Sequence, residues 1–421
     1  MGLALAAAAL SAVLLAQDTV GNVALNQHPP MLGRELPKKL LEKPSQPPTF
    51  TVSVAPLGFS APGAFYLGQG SSLASLDFLD ENRLLFTFRV PGLLRRKAGE
   101  EDKRQIRAVV LALPSGTVEA EALWTVHDRA RYLWMLNGGH FLLRDRDNLQ
   151  RGDATLELKP YLRFPGPLLY LEMDPSQQFL AADSREPVAK AKESAEASDE
   201  PEAAAQPETV VRILRRDSGK VLLVSRTSAA VHLPMNNEGF LEVLRARGDQ
   251  WRLNLQYFSG GSGLLGQVES SCLPTIDFVS QRELLAATCA ALGGRDLVAM
   301  GTDGRLLWEY QAFNSTVRPL LTRSPAGSRL AWEALVLDPT ISSNTPNLDP
   351  EDVRGQLIEI LNAADGKVAL DAVASPVLDA GGNVAISPSG RRVAVLNGGG
   401  IQVFELPPAS LPEPAAPPPP R

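Results

Sequence analysis

Four histidines, His28, His127, His140 and His232, are the side chains best suited to proton transfer or metal ligation, and they are dispersed along the chain. None has a second His, Cys or Glu at the spacing that places two ligands on one helix face, so no local metal motif exists. Acidic pairs at Asp80-Glu81, Glu100-Glu101 and Asp349/Glu351 fall in turn-rich stretches. They read as solvated turn residues, with cation binding as the alternative. No GxSxG nucleophile elbow occurs. The glycine-rich run Ser259–Gly266 (SGGSGLLG) lacks the lysine and helix of a phosphate loop and reads as a mobile turn. Asn314-Ser315-Thr316 is a glycosylation acceptor only if the host modifies exported proteins. No catalytic, cofactor-binding or metal-ligating residue is assigned on these grounds, and no cofactor is expected.

The two cysteines carry the remaining chemistry. If a two-residue turn at Ser280-Gln281 joins their strands, Cys272 and Cys289 face each other across one hairpin. In an oxidising compartment they could then form a disulfide. The alternative is a pair of buried free thiols, which a turn two residues longer would produce by misaligning them.

The chain has 421 residues, 44% of them hydrophobic, and its 41 basic against 47 acidic side chains give a net charge of −6. That balance supplies no field for phosphate backbones, so nucleic-acid binding is not expected. Residues 1–16, with the apolar run Leu3–Ala16, resemble a secretory signal core more than a membrane span, which needs about 20 residues. Export to the periplasm or medium is expected, with an uncleaved apolar anchor as the alternative. Residues 17–49 form a proline- and lysine-rich lead-in, and residues 407–421 a proline-rich tail unable to pack a core.

The elements that must position any site lie between, in residues 50–406. Glycine and proline, 34 of each, punctuate many short segments. An apolar strand, a polar turn and a second apolar strand recur seven times, as in SLDFLDENRLLFTF, YLEMDPSQQFLAAD and NVAISPSGRRVAVL. Turn centres fall near Asp80, Gly138, Pro175, Asn237, Gln281, Pro325 and Pro388. A second hairpin signal follows at Ser115-Gly116, Ser218-Gly219, Asp303-Gly304 and Asp365-Gly366. These dipeptides supply the positive φ that tight hairpins need. Two hairpins per period are four antiparallel strands, the content of one propeller blade, and the 44-residue spacing from Asn237 to Gln281 and on to Pro325 matches the usual period.

Val384–Leu406 resembles a repeat of the WD40-like and TolB-type propeller families, in which a Ser-Pro-x-Gly turn joins the first two strands of a blade. Ser387, Pro388 and Gly390 carry that turn here, Ser324, Pro325 and Gly327 repeat it, and Asp174-Pro175-Ser176 matches in part. The resemblance implies an all-β, seven-bladed β-propeller with four-stranded antiparallel blades over residues 50–406. Phe50–Leu57 (FTVSVAPL) is expected to complete the last blade, removing exposed strand edges. Asp303-Gly304 with Trp308 resembles the Asp-Gly-x-x-x-Trp element of quinoprotein propellers, where the tryptophan docks neighbouring blades. A single full copy implies docking by Trp308 rather than a quinone site.

Three polar insertions, Pro91–Arg104, Arg185–Glu208 and Asp338–Val353, are each expected between the second and third strands of a blade, and so on one face. The middle one is expected to be disordered. The expected function is that of a non-catalytic exported scaffold, monomeric in solution, whose decorated face binds another protein or an envelope polymer. The competing expectation is a quinoprotein-like or hydrolytic enzyme, which requires acids or histidines converging at the ring axis. His127, His140 and His232 would be the histidines brought there.

Overall fold

The computed structural model describes residues 46–61, 74–90, 102–127, 130–187, 208–289, 295–311, 320–338, 349–378 and 380–409. Strand β1 (Phe50–Ser53) precedes blade 1, which is β2 (Ala74–Asp80), β3 (Arg83–Arg89), β4 (Lys103–Ala112) and β5 (Thr117–His127). Blade 2 is β6 (Leu133–Leu136), β7 (His140–Asp145), β8 (Asn148–Gly152) and β9 (Lys159–Arg163). Blade 3 is β10 (Leu168–Met173), β11 (Phe179–Glu186), β12 (Glu208–Arg215) and β13 (Val221–Thr227). Blade 4 holds β14 (Gly239–Arg245), β15 (Gln250–Tyr257) and β16 (Ser262–Glu269). Blade 5 is β17 (Thr275–Phe278), β18 (Glu283–Cys289), β19 (Arg295–Gly301) and β20 (Leu306–Gln311). Blade 6 is β21 (Leu320–Arg323), β22 (Arg329–Leu337), β23 (Val353–Asn362) and β24 (Val368–Ala374). Blade 7 is β25 (Val384–Ile386), β26 (Arg392–Asn397) and β27 (Gly400–Glu405), with β1 as its outer strand. The protein is a seven-bladed β-propeller.

The second strands explain why the sheets must stack. The five central residues of β3 are all buried, as are those of β18. Side chains alternate between faces along a strand, so both faces need apolar cover. That cover comes from seven clusters, each shared by two neighbouring blades. Phe86 and Leu76 of blade 1 pack against Leu396 and Val403 of blade 7 in the cluster that closes the ring.

The turn chemistry repeats as closely as the sheets do. Where the third and fourth strands meet, Gly116, Gly219, Gly304 and Gly366 hold φ of +70°, +64°, +81° and +66°. The Ser115, Ser218, Asp303 and Asp365 side chains each accept the backbone N–H two residues on. Between the first and second strands, the Ser324 hydroxyl accepts the Ser328 and Arg329 N–H groups, and the Ser387 hydroxyl accepts that of Arg392. Asp174 makes the same turn through its carboxylate, with Gln177 at φ +58° where the other two copies have glycine.

Three expectations need correction. Blade 4 has three strands, because its inner segment joins the sheet only through a Met235–Phe240 bridge. Pro234 within that segment has no N–H to give a ladder. The supposed mobile turn narrows to Phe258–Gly261, since Ser262–Gly266 lies in β16. The third correction is register. Thr275 faces Ala287, and Ser280-Gln281-Arg282 form a three-residue loop, so the ladder is one residue off the pairing that would oppose the cysteines. Cys272 lies before β17 and bonds Cys289 from outside the ladder, with 5.6 Å between Cα atoms. There the Ser270 hydroxyl accepts the Cys289 N–H.

Strands β11 and β12 also extend to pair Arg185 with Thr209 and Glu186 with Glu208, so the ends of the segment expected to be disordered are strand. Residues 1–45, the interiors of the three insertions (91–101, 188–207, 339–348), the Asn314 sequon and the tail from 410 lie outside the described residues.

Closure rests on β1, where Phe50 faces Val403 and Val52, buried, faces Ile401. Val52→Asp should cost about 3 kcal/mol or more of unfolding free energy, because an unpaired carboxylate would enter the closing cluster. Thr51→Asp, on the exposed face, should cost less than about 0.5 kcal/mol; equal urea midpoints for the two variants would count against closure by β1. Replacing Cys272 and Cys289 together with serine should lower stability by about 3 kcal/mol through release of a loop spanning 17 residues. Denaturation of the oxidised protein beside the double variant measures it.

Candidate functional site at the ring axis

The first strand of each blade faces the axis, and its alternation decides what enters. Ile276 and Phe278 of β17 are buried in the wedge between blades 4 and 5, which leaves Asp277 on the inner side. Leu76 and Phe78 of β2 likewise leave Asp77. On β10, Leu171 is buried in the wedge with blade 2 and Glu172 is partly open. Asp77, Glu172 and Asp277 occupy equivalent places on their first strands, each one residue before the pairs Phe78–Leu84, Met173–Leu180 and Phe278–Leu284. That periodicity is visible in the sequence once the repeats are aligned by register, and it is the signal that reading motif by motif misses.

His232 enters by irregularity. It lies on the inner segment of blade 4, which the Asp183 carboxylate of blade 3 holds by accepting the Val231 N–H at 2.5 Å. From there His232 reaches both neighbours. Nδ1 lies 3.0 Å from Glu172 Oε2 and 2.9 Å from the Tyr170 hydroxyl. Nε2 donates to the Ile276 carbonyl at 2.8 Å and lies 3.5 Å from Asp277 Oδ1.

Blade 6 closes the group from the other side. Arg323 donates to the Phe278 carbonyl in blade 5 and, at 3.3 Å, to the Met173 carbonyl in blade 3. Blades 3 and 6 are not neighbours in the ring, so this contact exists only because the inner strands converge. Gln281 of blade 5 donates to Asp174 of blade 3 at 3.0 Å in the same way.

Burial and charge compete at these groups. Burial disfavours the His232 imidazolium, but Glu172 and then Asp277 outweigh it, and the ring is pushed up to about 10. Burial lowers Arg323, opposed by Asp277, Glu172 and Asp174. Asp183 is pushed up to about 7 by burial, against the Val231 hydrogen bond and with Glu172 adding to the rise. Burial also raises Asp77, opposed by the Ser75 hydroxyl and by Arg131. Glu333, beneath the inner strand of blade 6, is pushed up to about 7 by burial although Thr322 donates to it at 2.9 Å. The arrangement is a cation held between carboxylates from different blades. Among the described residues, Glu172, His232 and Asp277 each bring one oxygen or nitrogen within 4.8 Å of the others.

The other candidates do not join it. His127 pairs with Asp145 at 3.1 Å between blades 1 and 2, His140 begins β7, and His28 is outside the described residues. Asp80 bonds the Asn82 N–H and Arg83, and Glu81 accepts the Ser389 N–H at 2.6 Å, joining blades 7 and 1. Trp308 on β20 is buried and donates to the Ala363 carbonyl of blade 6 at 2.7 Å. The turns at Ser324-Pro325-Gly327 and Ser387-Pro388-Gly390 meet where Ala326 N–H donates to the Pro388 carbonyl.

No family model matches this chain, and no curated protein matches it. Solved structures of similar shape include the acylaminoacyl peptidase of Pyrococcus horikoshii, at 11% identity and a TM-score of 0.45, with 80% of this chain and 52% of that one covered. This chain therefore spans about half the length of that protein. An oligogalacturonate lyase in complex with manganese aligns at 12% identity over 80% of this chain and 97% of its own, with a TM-score of 0.42. TolB from Acinetobacter baumannii aligns at 12% identity over 72% and 74%, with a TM-score of 0.39.

Glu333 generates a pH dependence. A carboxyl whose folded pKa is raised favours the protonated form, so its contribution is complete below the ordinary value of 4.5 and is lost as pH rises through about 7. Glu333→Gln should match the parent near pH 4 and exceed it above about pH 8 by on the order of 2 kcal/mol. Urea unfolding at the two pH values tests this, and a gain of equal size at both would refute the burial account.

Proposed function

We propose that the protein is an exported, non-catalytic binding scaffold that recognises another protein or an envelope polymer through one rim of the ring. The observation carrying this reading is where the strands end. Insertions leave between β3 and β4, between β11 and β12, and between β22 and β23, in each case from the second strand of a blade to the third. In an antiparallel blade those connections emerge on the same side, opposite the Ser-Pro turns. Connections whose anchoring strand ends share one side of a rigid ring are positioned to act on one partner at little ordering cost to the scaffold. The apolar run at Leu3–Ala16 and the Cys272–Cys289 bond support an oxidising, extracytoplasmic location.

A second reading, an axial ligand or catalytic site, draws on the convergence of Glu172, His232 and Asp277. Against catalysis stands their engagement with one another. The imidazole that would act as a base is held as a cation by the carboxylates beside it.

Replacing 92–101, 189–207 and 340–348 with short Gly-Ser linkers should abolish crosslinking to the natural partner in the native compartment. The melting temperature should stay within about 3 °C, since the cost of closing a connection changes only slowly with its length. Arg323→Lys should leave capture intact. The opposite pattern, with capture lost only in the axial variant, would replace the rim reading with the axial one.

A further inference from the structure

We infer that Glu172, His232 and Asp277 form a binding site for one first-row divalent cation, with Zn2+ preferred, that ties blades 3, 4 and 5 together. One ligand atom from each residue lies within 4.8 Å of the others. The three come from consecutive blades, so one ion at their centre would span two blade interfaces.

The imidazole is oriented for it. The Ile276 carbonyl can only accept, so Nε2 keeps its proton, and the Nδ1 proton on the side of Glu172 is the one an ion would replace. A ligating histidine commonly has this arrangement, its second nitrogen donating to a backbone carbonyl that fixes the tautomer. Glu172 supplies an independent sign. Its Oε2 is buried and accepts no hydrogen bond, although it lies 3.0 Å from Nδ1. Only the charge of the neighbouring ring offsets the burial of that oxygen, and an ion between it and Nδ1 would take the ring proton's place while ligating both. The Tyr170 hydroxyl, 2.9 Å from Nδ1, is the group an ion would displace from that nitrogen. Asp277 has the most open of the three side chains, 37% exposed.

One nitrogen and two carboxylate oxygens suit Zn2+ better than Mn2+, and both better than Ca2+, which takes six to eight oxygen ligands. The Arg323 guanidinium nearby opposes any added positive charge and keeps the affinity moderate.

The site also has a structural purpose. Blade 4 lacks a regular inner strand, and an ion held by His232 would anchor that segment where the ladder does not. The inference is independent of what the rim binds.

The test uses the metal-free full-length protein titrated with Zn2+, Mn2+ and Ca2+ by calorimetry and by thermal unfolding. Zn2+ should bind with one-to-one stoichiometry and raise the melting temperature by about 3–6 °C at a hundredfold excess over Kd. Mn2+ should bind at least about tenfold more weakly, and Ca2+ should give no shift. Glu172→Gln and Asp277→Asn should each weaken Zn2+ binding at least about tenfold, while His127→Gln leaves it unchanged. Asp277→Asn, at the more open position, keeps the test decisive if Glu172→Gln fails to fold. Absence of one-to-one Zn2+ binding, or undiminished affinity in Asp277→Asn, would overturn the site. Loss of affinity in His127→Gln would do so too, by moving the ion to another histidine.

Discussion

A strand that is apolar on both faces cannot end a stack of sheets. β3 and β18 bury residues on each side, so every blade needs two neighbours, and a row of blades satisfies that only by returning to its start. Each of the seven apolar clusters belongs to a pair of blades and none to one blade alone. Cohesion is therefore a property of the circle, and the placement of every polar group at the centre follows from it.

The repeat was legible because its turns are chemically specific. Positive φ at Gly116, Gly219, Gly304 and Gly366 and the hydroxyl-capped turns at Ser324 and Ser387 leave marks in the residues themselves. The part played by Phe50–Ser53 was legible too, since a blade short of one strand demands another. The thinning of blade 4 was not, although Pro234 is in plain view. An apolar pattern such as VHLPM satisfies burial whether or not its backbone joins a ladder. Nor was the cysteine register, where one added loop residue shifts every facing pair by one.

The axial group was hidden for a different reason. Glu172, His232 and Asp277 are separated by 60 and 45 residues in the chain, and each looks like a routine polar position in a short strand. Only the ring brings them together. The competing enzyme reading asked for His127, His140 and His232 at the centre, but the positions reaching it are set by register, and His127 and His140 lie elsewhere on their blades. Charges arriving from different blades act as cross-links, because removing one leaves its partners buried and unbalanced. Arg323 illustrates this, reaching carbonyls in blades 3 and 5 from blade 6.

The pairing of Phe50 with Val403 has a temporal consequence. Synthesis proceeds from the N-terminus, so the segment that fastens the circle is made before the first six blades and its partner strand after them. Until then the seventh sheet has no outer strand, and blade 1 lacks the apolar wall that Leu396 and Val403 give it. The chain must hold six sheets in waiting before the long-range contact can form, which is a slow and exposed route. Nascent copies crowded together could lend this strand to one another, so dilution or a holding chaperone during maturation would favour the monomeric ring over an interlocked pair.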